Sequence, residues 1–266
     1  MDNSFSVSIV LPTFNEEKSL RIFIPKLVDV LKGLNYEIIV VDDNSNDETQ
    51  NIVKNFSINN KKIKLINRRA TPSLPMSILE GVKNSQNEFV MWLDADGSMD
   101  AESLINLINF TRGNHECVYI GSRFVDGGGY KGKQRPNQFR LKKFIKSINK
   151  SEDSFLAIFL SLIFNKVLSI LLNVGVKDLT SGFIIGKREF FNESMFKGFT
   201  YGEYFISVVT NLYLKKINIV EVGYFCKPRV FGESKTSTNI FKLLTLSIPY
   251  IRTAINCRKQ LNANLR

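Results

Sequence analysis

The chain has 266 residues, 44% hydrophobic and 23% charged, a balance that supports a folded core and excludes an extended disordered chain. Lysine and arginine outnumber aspartate and glutamate 36 to 25, a formal net charge of +11, which suits an anionic partner such as nucleic acid, anionic lipid or a phosphate-bearing substrate. Three scattered cysteines (Cys117, Cys226, Cys257) and one histidine, His115, make neither a disulfide framework nor a zinc site and point to a reducing compartment.

The chain opens on MDNSFSVSIVLP, with an acid where a secretory leader needs a positive charge. SVSIVLPTFN (6–15) predicts a strand and a turn, and EEKSLRIFIPKLVDVLKGL (16–34) has helical spacing. YEIIVVDDNS (36–45) is a second strand, DETQNIVKNFSI (47–58) a helix, KIKLINR (62–68) a third strand, SILEGVKNS (77–85) a helix and EFVMWLDAD (88–96) a fourth strand. Continuous β-branched runs separated by helices predict an α/β fold with a mostly parallel sheet covered on both faces. A further strand precedes GSRFVDGGG (121–129), and the Gly-rich, then basic, stretch 127–150 reads as a loop feeding a helix. The apolar run 154–176 is interrupted by Asn165 and Lys166, which disfavours a membrane span. VKDLTSGFIIGKREFF (176–191) reads as loop, strand and helix, INIVEVGYFCKPR (217–229) as a late strand, and residues 239–259 as an amphipathic helix with a basic end.

In such sheets ligands bind beyond the carboxyl ends of the strands. Three polar clusters fall there: Pro12 to Glu16 after strand one, Asp42 to Ser45 after strand two, and Asp94–Ala95–Asp96 after strand four. Residues i and i+2 of an extended segment point the same way, so Asp94 and Asp96 could face one cavity. Carboxylates so close repel unless a cation or a shared proton neutralises them. A hard divalent ion does this and can stabilise a departing diphosphate; a solvated loop of capping aspartates is the plain alternative. Asp42 and Asp43 could accept from a base N–H or a ribose hydroxyl, or cap the helix near Asp47. Arg123 could grip a phosphate bidentately or be a surface arginine. Asp178 and Ser181 sit on a turn before a strand. Arg229 and Lys235 in RVFGESK (229–235) could close over a diphosphate or belong to a solvated loop. His115 reads as a surface residue. There is no GxGxxG, no P-loop and no GxSxG elbow.

The segments IVLPTFNEE (9–17), IIVVDDNSNDET (38–49), WLDADGS (92–98), GSRFVDGGG (121–129), VKDLTSGF (176–183) and RVFGESK (229–235) make the chain resemble family-2 inverting glycosyltransferases of the GT-A fold. More narrowly, it resembles dolichol-phosphate mannosyltransferases and bacterial polyprenyl-phosphate glycosyltransferases. The motifs occur in the family's order across most of residues 5–240. The resemblance implies that Pro12, Phe14, Glu16, Val41, Asp42 and Asp43 serve the nucleotide pocket. Asp94 and Asp96 would hold Mg²⁺ or Mn²⁺ with the donor diphosphate, with Ala95 and Ser98 beside them. Arg229 and Lys235 would close on the donor, Arg123 and Ser161 would approach the acceptor phosphate, and Asp178 and Ser181 would shape the acceptor side.

The implied partners are a nucleotide sugar (GDP-mannose or UDP-hexose), a polyprenyl phosphate and a membrane surface, with no nucleic acid. The implied place is peripheral, on the cytoplasmic face. A catalytic domain over 1–235, with a donor half to about 125 and an acceptor half from about 126, would precede an amphipathic segment over 236–266. Residues 154–176 and 239–259 carry apolar faces with basic neighbours, which suits helices lying in a membrane interface. The chain departs from the family at SLPMS (73–77), where a Leu-Gly-x-Ala loop is usual, at Ala157 and Ile158 in place of paired arginines, and at Phe205 in place of a lysine. The basic run Arg140, Lys142, Lys143 and Lys146 stands near by in sequence. Donor sugar and acceptor therefore stay open. Transfer to a growing glycan is the first alternative, and a basic nucleic-acid binder the second.

Overall fold

The computed structural model describes residues 5–130, 133–134, 152–227 and 240–264. The first half alternates strand and helix: β1 (Ser6–Thr13), α1 (Glu17–Val30), β2 (Asn35–Asp42), α2 (Thr49–Asn59), β3 (Ile63–Asn67), α3 (Leu74–Asn84), β4 (Phe89–Trp92), α4 (Ala101–Gly113) and β5 (Cys117–Ser122). Then follow β6 (Gly129–Tyr130), β7 (Lys133–Gln134), α5 (Glu152–Leu172), β8 (Ile184–Lys187), α6 (Tyr204–Leu214), β9 (Asn218–Gly223), β10 (Phe225–Cys226) and α7 (Ile240–Asn264). The main sheet has the order β3-β2-β1-β4-β8-β5-β9, and β10-β6-β7 form a small second sheet. Among the described strands of the main sheet, only β8 runs antiparallel, between β4 and β5.

Side-chain alternation divides the core into two layers. Val7, Ile9 and Leu11 of β1 and Ile38 and Val40 of β2 meet α1, α2 and α4 on one face. Val10, Ile39, Val41 and Trp92 meet α3, α5, α6 and α7 on the other. The mostly parallel α/β architecture expected from the sequence is therefore present. Gly81 of α3 lets that helix lie close on β1, since a β carbon there would stand 2.2 Å from Val10 Cγ1.

Two helices stand outside the sequence expectations, α4 and α6. The second, YFISVVTNLYL, is rich in β-branched residues and reads like a strand. It is nevertheless a helix, buried on nearly every side from Tyr204 to Leu212, so tertiary packing outweighs local propensity. The helix expected at 188–191 is a single 3₁₀ turn, Arg188–Phe190. α7 packs Ala254, Cys257 and Leu261 into the second core layer, while the domain boundary expected at residue 235 lies outside the described residues. Among the described residues no helix is long and apolar enough to cross a membrane.

Candidate active site

The carboxyl ends of β1, β2 and β4 open onto one cavity of about 610 Å³. Its wall includes Pro12 to Ser19, Asp43, Asp47, Pro72 to Leu74, Ser77, Asp94 to Asp96, Thr200 and Tyr201. Of the sequence-predicted residues it gathers Pro12, Phe14, Glu16, Asp43, Asp94, Ala95 and Asp96.

The loops that shape this rim are tied to one another. Asn15 and Asn44 follow β1 and β2 with φ of 58° and 64°, a left-handed conformation that asparagine tolerates better than most residues. Asn15 N–H donates to Ser45 Oγ at 2.8 Å, and Asn46 N–H donates to Asn15 Oδ1 at 2.9 Å. Asp47 accepts from Thr49 N–H at the start of α2 and from Glu17 N–H of α1. One carboxylate thus serves both helix starts.

At the β2 end, Asp43 is buried. Arg68, which follows β3, ion-pairs with Asp43 and reaches Ser77 Oγ at 3.3 Å, while Ser73 N–H donates to the other Asp43 oxygen. Burial holds the Asp43 carboxyl above its ordinary range although Ser73 N–H and Arg68 favour its charge. The Ser73 hydroxyl is buried with no hydrogen-bond partner among the described residues.

At the β4 end, Asp94 is half-buried and Asp96 buried. Asp96 Oδ1 accepts from Ser98 N–H at 2.9 Å, closing a tight turn through Gly97 at φ 77°. Trp92 Nε1 donates to Tyr204 Oη at 3.0 Å, which ties β4 to the start of α6. Burial, with the charge of Asp94 near by, pushes the Tyr204 phenol well above its ordinary range.

Other candidates lie elsewhere. Val41 is fully buried in the α3-side core layer and meets the rim only through its carbonyl, which accepts from Thr13 Oγ1 at 3.3 Å. Asp42 is buried too, receiving Ser45 N–H and Gln50 Nε2. Ser98 is buried behind Asp96. Arg123 was expected to offer its fork to a phosphate, and here that fork lies on Asp178: Nε to Oδ2 at 2.9 Å and Nη2 to Oδ1 at 2.7 Å. Burial works against the guanidinium charge, but Asp178 outweighs it and keeps Arg123 firmly protonated. Thr180 and Asn165 extend the cluster, and Glu221 receives the N–H groups of Lys177 and Asp178. Ser181 Oγ donates to Gly121 O, and the Ser161 carbonyl accepts from Asn165. His115 packs half-buried against Phe5 and Phe89. Arg229, Lys235 and the run Arg140 to Lys146 lie outside the described residues.

Sequence reasoning passed over Arg68, Thr200 and Tyr201, and singled out Ser73 only as part of the departing SLPMS loop. Reading the tip of strand three, as was done for strands one, two and four, finds Arg68. Thr200 and Tyr201 sit on a loop with no motif of its own.

Residues 8–194 match the family described as Glycosyl transferase family 2. The chain belongs to this family. Over 122 residues it is 34% identical to a dolichol-phosphate mannosyltransferase of Pyrococcus furiosus, covering 46% of this chain and 34% of that protein. Over 126 residues it is 34% identical to a poly(ribitol-phosphate) beta-N-acetylglucosaminyltransferase of Staphylococcus aureus, covering 46% of this chain and 38% of that one. The matched stretches thus span little more than a third of these two relatives. The fold is also that of glucosyl-3-phosphoglycerate synthase from Mycobacterium tuberculosis, solved with Mn²⁺, UDP-glucose and phosphoglyceric acid. The TM-score is 0.64 at 15% identity, over 96% of this chain and 80% of that one. The GT-A architecture expected of this family-2 chain is therefore present.

Proposed function

We propose that the protein is a divalent-metal-dependent inverting glycosyltransferase that moves a hexose from a nucleotide-diphosphate sugar to a polyprenyl phosphate. The observation that carries this reading is the shared cavity: Asp43 with Arg68 and Ser73 at one end, Asp94 and Asp96 at the other. Its volume suits a nucleotide sugar. Phe14 offers an exposed ring at the rim.

The β4 end fits Mg²⁺ or Mn²⁺. Two aspartates on one cavity wall would supply hard oxygen ligands, with phosphate oxygens and water completing the coordination. When bound there, the ion would offset the charge that develops on the departing nucleotide diphosphate. Asp94 and Asp96 would hold it, Lys18 stands on the same wall, and Arg229 and Lys235 are the sequence-based candidates for closing over the donor.

Two buried carboxylates, Asp178 and Glu203, are already committed to other groups. A neutral hydroxyl needs a general base. Asp178 is 0% exposed with both oxygens on Arg123. Glu203 is buried, receiving Thr200 N–H, Thr200 Oγ1 and Tyr201 N–H. A phosphate monoester, largely dianionic near pH 7, is already a nucleophile. The chain then needs only to place that oxygen in line with the sugar carbon, and its basic charge favours an anionic acceptor. The likeness to the ribitol-phosphate enzyme favours a second reading, transfer to a glycan hydroxyl.

A lipid acceptor requires contact with a membrane. Ile163, Val167 and Ile170 on α5 and Ile248, Ile251 and Ile255 on α7 are exposed, beside exposed Lys166, Arg252 and Lys259. Such apolar faces with cationic neighbours complement an anionic bilayer surface. The test is a donor panel (GDP-mannose, UDP-glucose, UDP-N-acetylhexosamines) with a short polyprenyl phosphate in anionic vesicles and Mn²⁺. One donor is expected to give a chelator-sensitive lipid product, with the chain sedimenting with the vesicles. Transfer to a glycan hydroxyl alone, or transfer indifferent to chelator, would overturn the reading.

A further inference from the structure

Helix α7 packs behind the wall of the cavity, through Tyr250 at Gly202. Thr200 and Tyr201 line that wall, and Gly202 follows them in the turn before α6. A β carbon at Gly202 would stand 2.1 Å from Tyr250 Oη and 3.2 Å from Tyr250 Cζ. The φ of Gly202 lies outside the left-handed region, so the backbone does not call for glycine there. The space does, because the phenol of α7 occupies it. Behind the phenol, Phe164 of α5 meets the Tyr250 ring edge-on at 5.8 Å. On the other side of the turn, the Glu203 carboxylate holds Thr200 and Tyr201 by their N–H groups. The turn is thus clamped between an acidic anchor and an aromatic wedge. Burial, together with Tyr201 and Glu203 near by, keeps the Tyr250 hydroxyl protonated, while Arg123 favours its ionised form and Asp94 opposes it. Both Gly202 and Tyr250 lie beyond residue 194, where the family match ends.

We propose that Tyr250 is a positioning residue for the active site: it fills the side-chain space of Gly202 and thereby sets Thr200 and Tyr201 in the wall of the cavity. α7 is then part of the catalytic unit rather than an appendage to it. The activity arm of the test rests on the function proposed above; the fluorescence arm does not.

The test compares Gly202→Ala, Tyr250→Phe and the double variant. In Gly202→Ala the new methyl displaces the phenol and moves the turn. Acceptor KM is expected to rise about 10- to 100-fold, with nucleotide affinity, read at the Asp43 end, near that of the parent. Tyr250→Phe keeps the ring and drops the oxygen, so its defect is smaller. In the double variant the nearest ring atom stands 3.2 Å from the methyl, and most of the loss is recovered, which marks direct coupling. Trp92 is the chain's single tryptophan and donates to Tyr204. Its emission should shift in Gly202→Ala and return in the double variant even if no sugar is transferred. Should Gly202→Ala match the parent in both readouts, or the double variant be as impaired as Gly202→Ala, the wedge has no such role. A parent chain that binds no nucleotide sugar overturns the function instead.

Discussion

The strand tips on the β2–β1–β4 side of the sheet and those around β5 and β8 carry similar side chains to different ends. On the first side, loops bind one another through backbone N–H groups and side-chain amides, and the carboxylates of Asp94 and Asp96 stand at a cavity. On the second, Arg123, Asp178, Thr180 and Asn165 close on themselves. Asp178 is buried with both oxygens on Arg123, whereas Asp94 and Asp96 belong to the cavity wall.

The comparison is broken most forcefully on its closed side. Asp178→Ala leaves a buried guanidinium without its counter-ion, and breaking a buried pair this way costs about 3–5 kcal/mol. The expected outcome is a lower urea midpoint, with nucleotide binding retained in the fraction that folds. On the open side, Asp96→Asn keeps an acceptor for Ser98 N–H and removes charge from the cavity. Transfer should fall about 10²–10³-fold, the scale seen when one preorganised electrostatic group is lost, with an unchanged unfolding midpoint. Equal damage to stability would place Asp96 with the closed cluster.

The smallest effect sharpens the contrast along a single strand. Near the start of β2, away from the cavity, Glu37 accepts from Ser8 Oγ, Lys64 Nζ and Gln86 N–H. Burial raises its pKa, but Lys64, Ser8 and Gln86 outweigh it and hold the carboxyl below its ordinary 4.5. A depressed folded pKa contributes stability above the unfolded value, and that contribution is lost as pH falls through the folded value. Stability of the parent should thus decline below about pH 4.5, and Glu37→Gln should flatten that decline without altering transfer at neutral pH. An unchanged acid limb would remove Glu37 as its source.

The open side was legible because it follows from strand direction alone: parallel strands bring their carboxyl ends together, so Pro12, Asp43 and Asp94 had to meet. Val41, assigned to the pocket by the family resemblance and not by strand direction, turns its side chain into the α3 layer by alternation. The closed side was illegible because Arg123 and Asp178 are 55 positions apart, and either residue alone fits a binding role. Asn165 looked like an interruption in an apolar helix, yet it is buried, donating to Thr180 and accepting from Leu179. The contact of Tyr250 with Gly202 depends on how α7 lies across α5 and α6, which no local pattern specifies.

The reversed strand β8 has a consequence for assembly. Strands β4 and β5 share no ladder; the sheet passes from one to the other through Ile184–Lys187. The amino-terminal ladder can form as soon as its own residues have been synthesised, but it cannot join β5 and β9 until those four later residues arrive. Completion of the sheet is thus a long-range, late event, with the entropic cost of closing a long loop. Until then the flanks of β4 and β5 are unpaired strand edges, the surfaces through which incomplete chains aggregate.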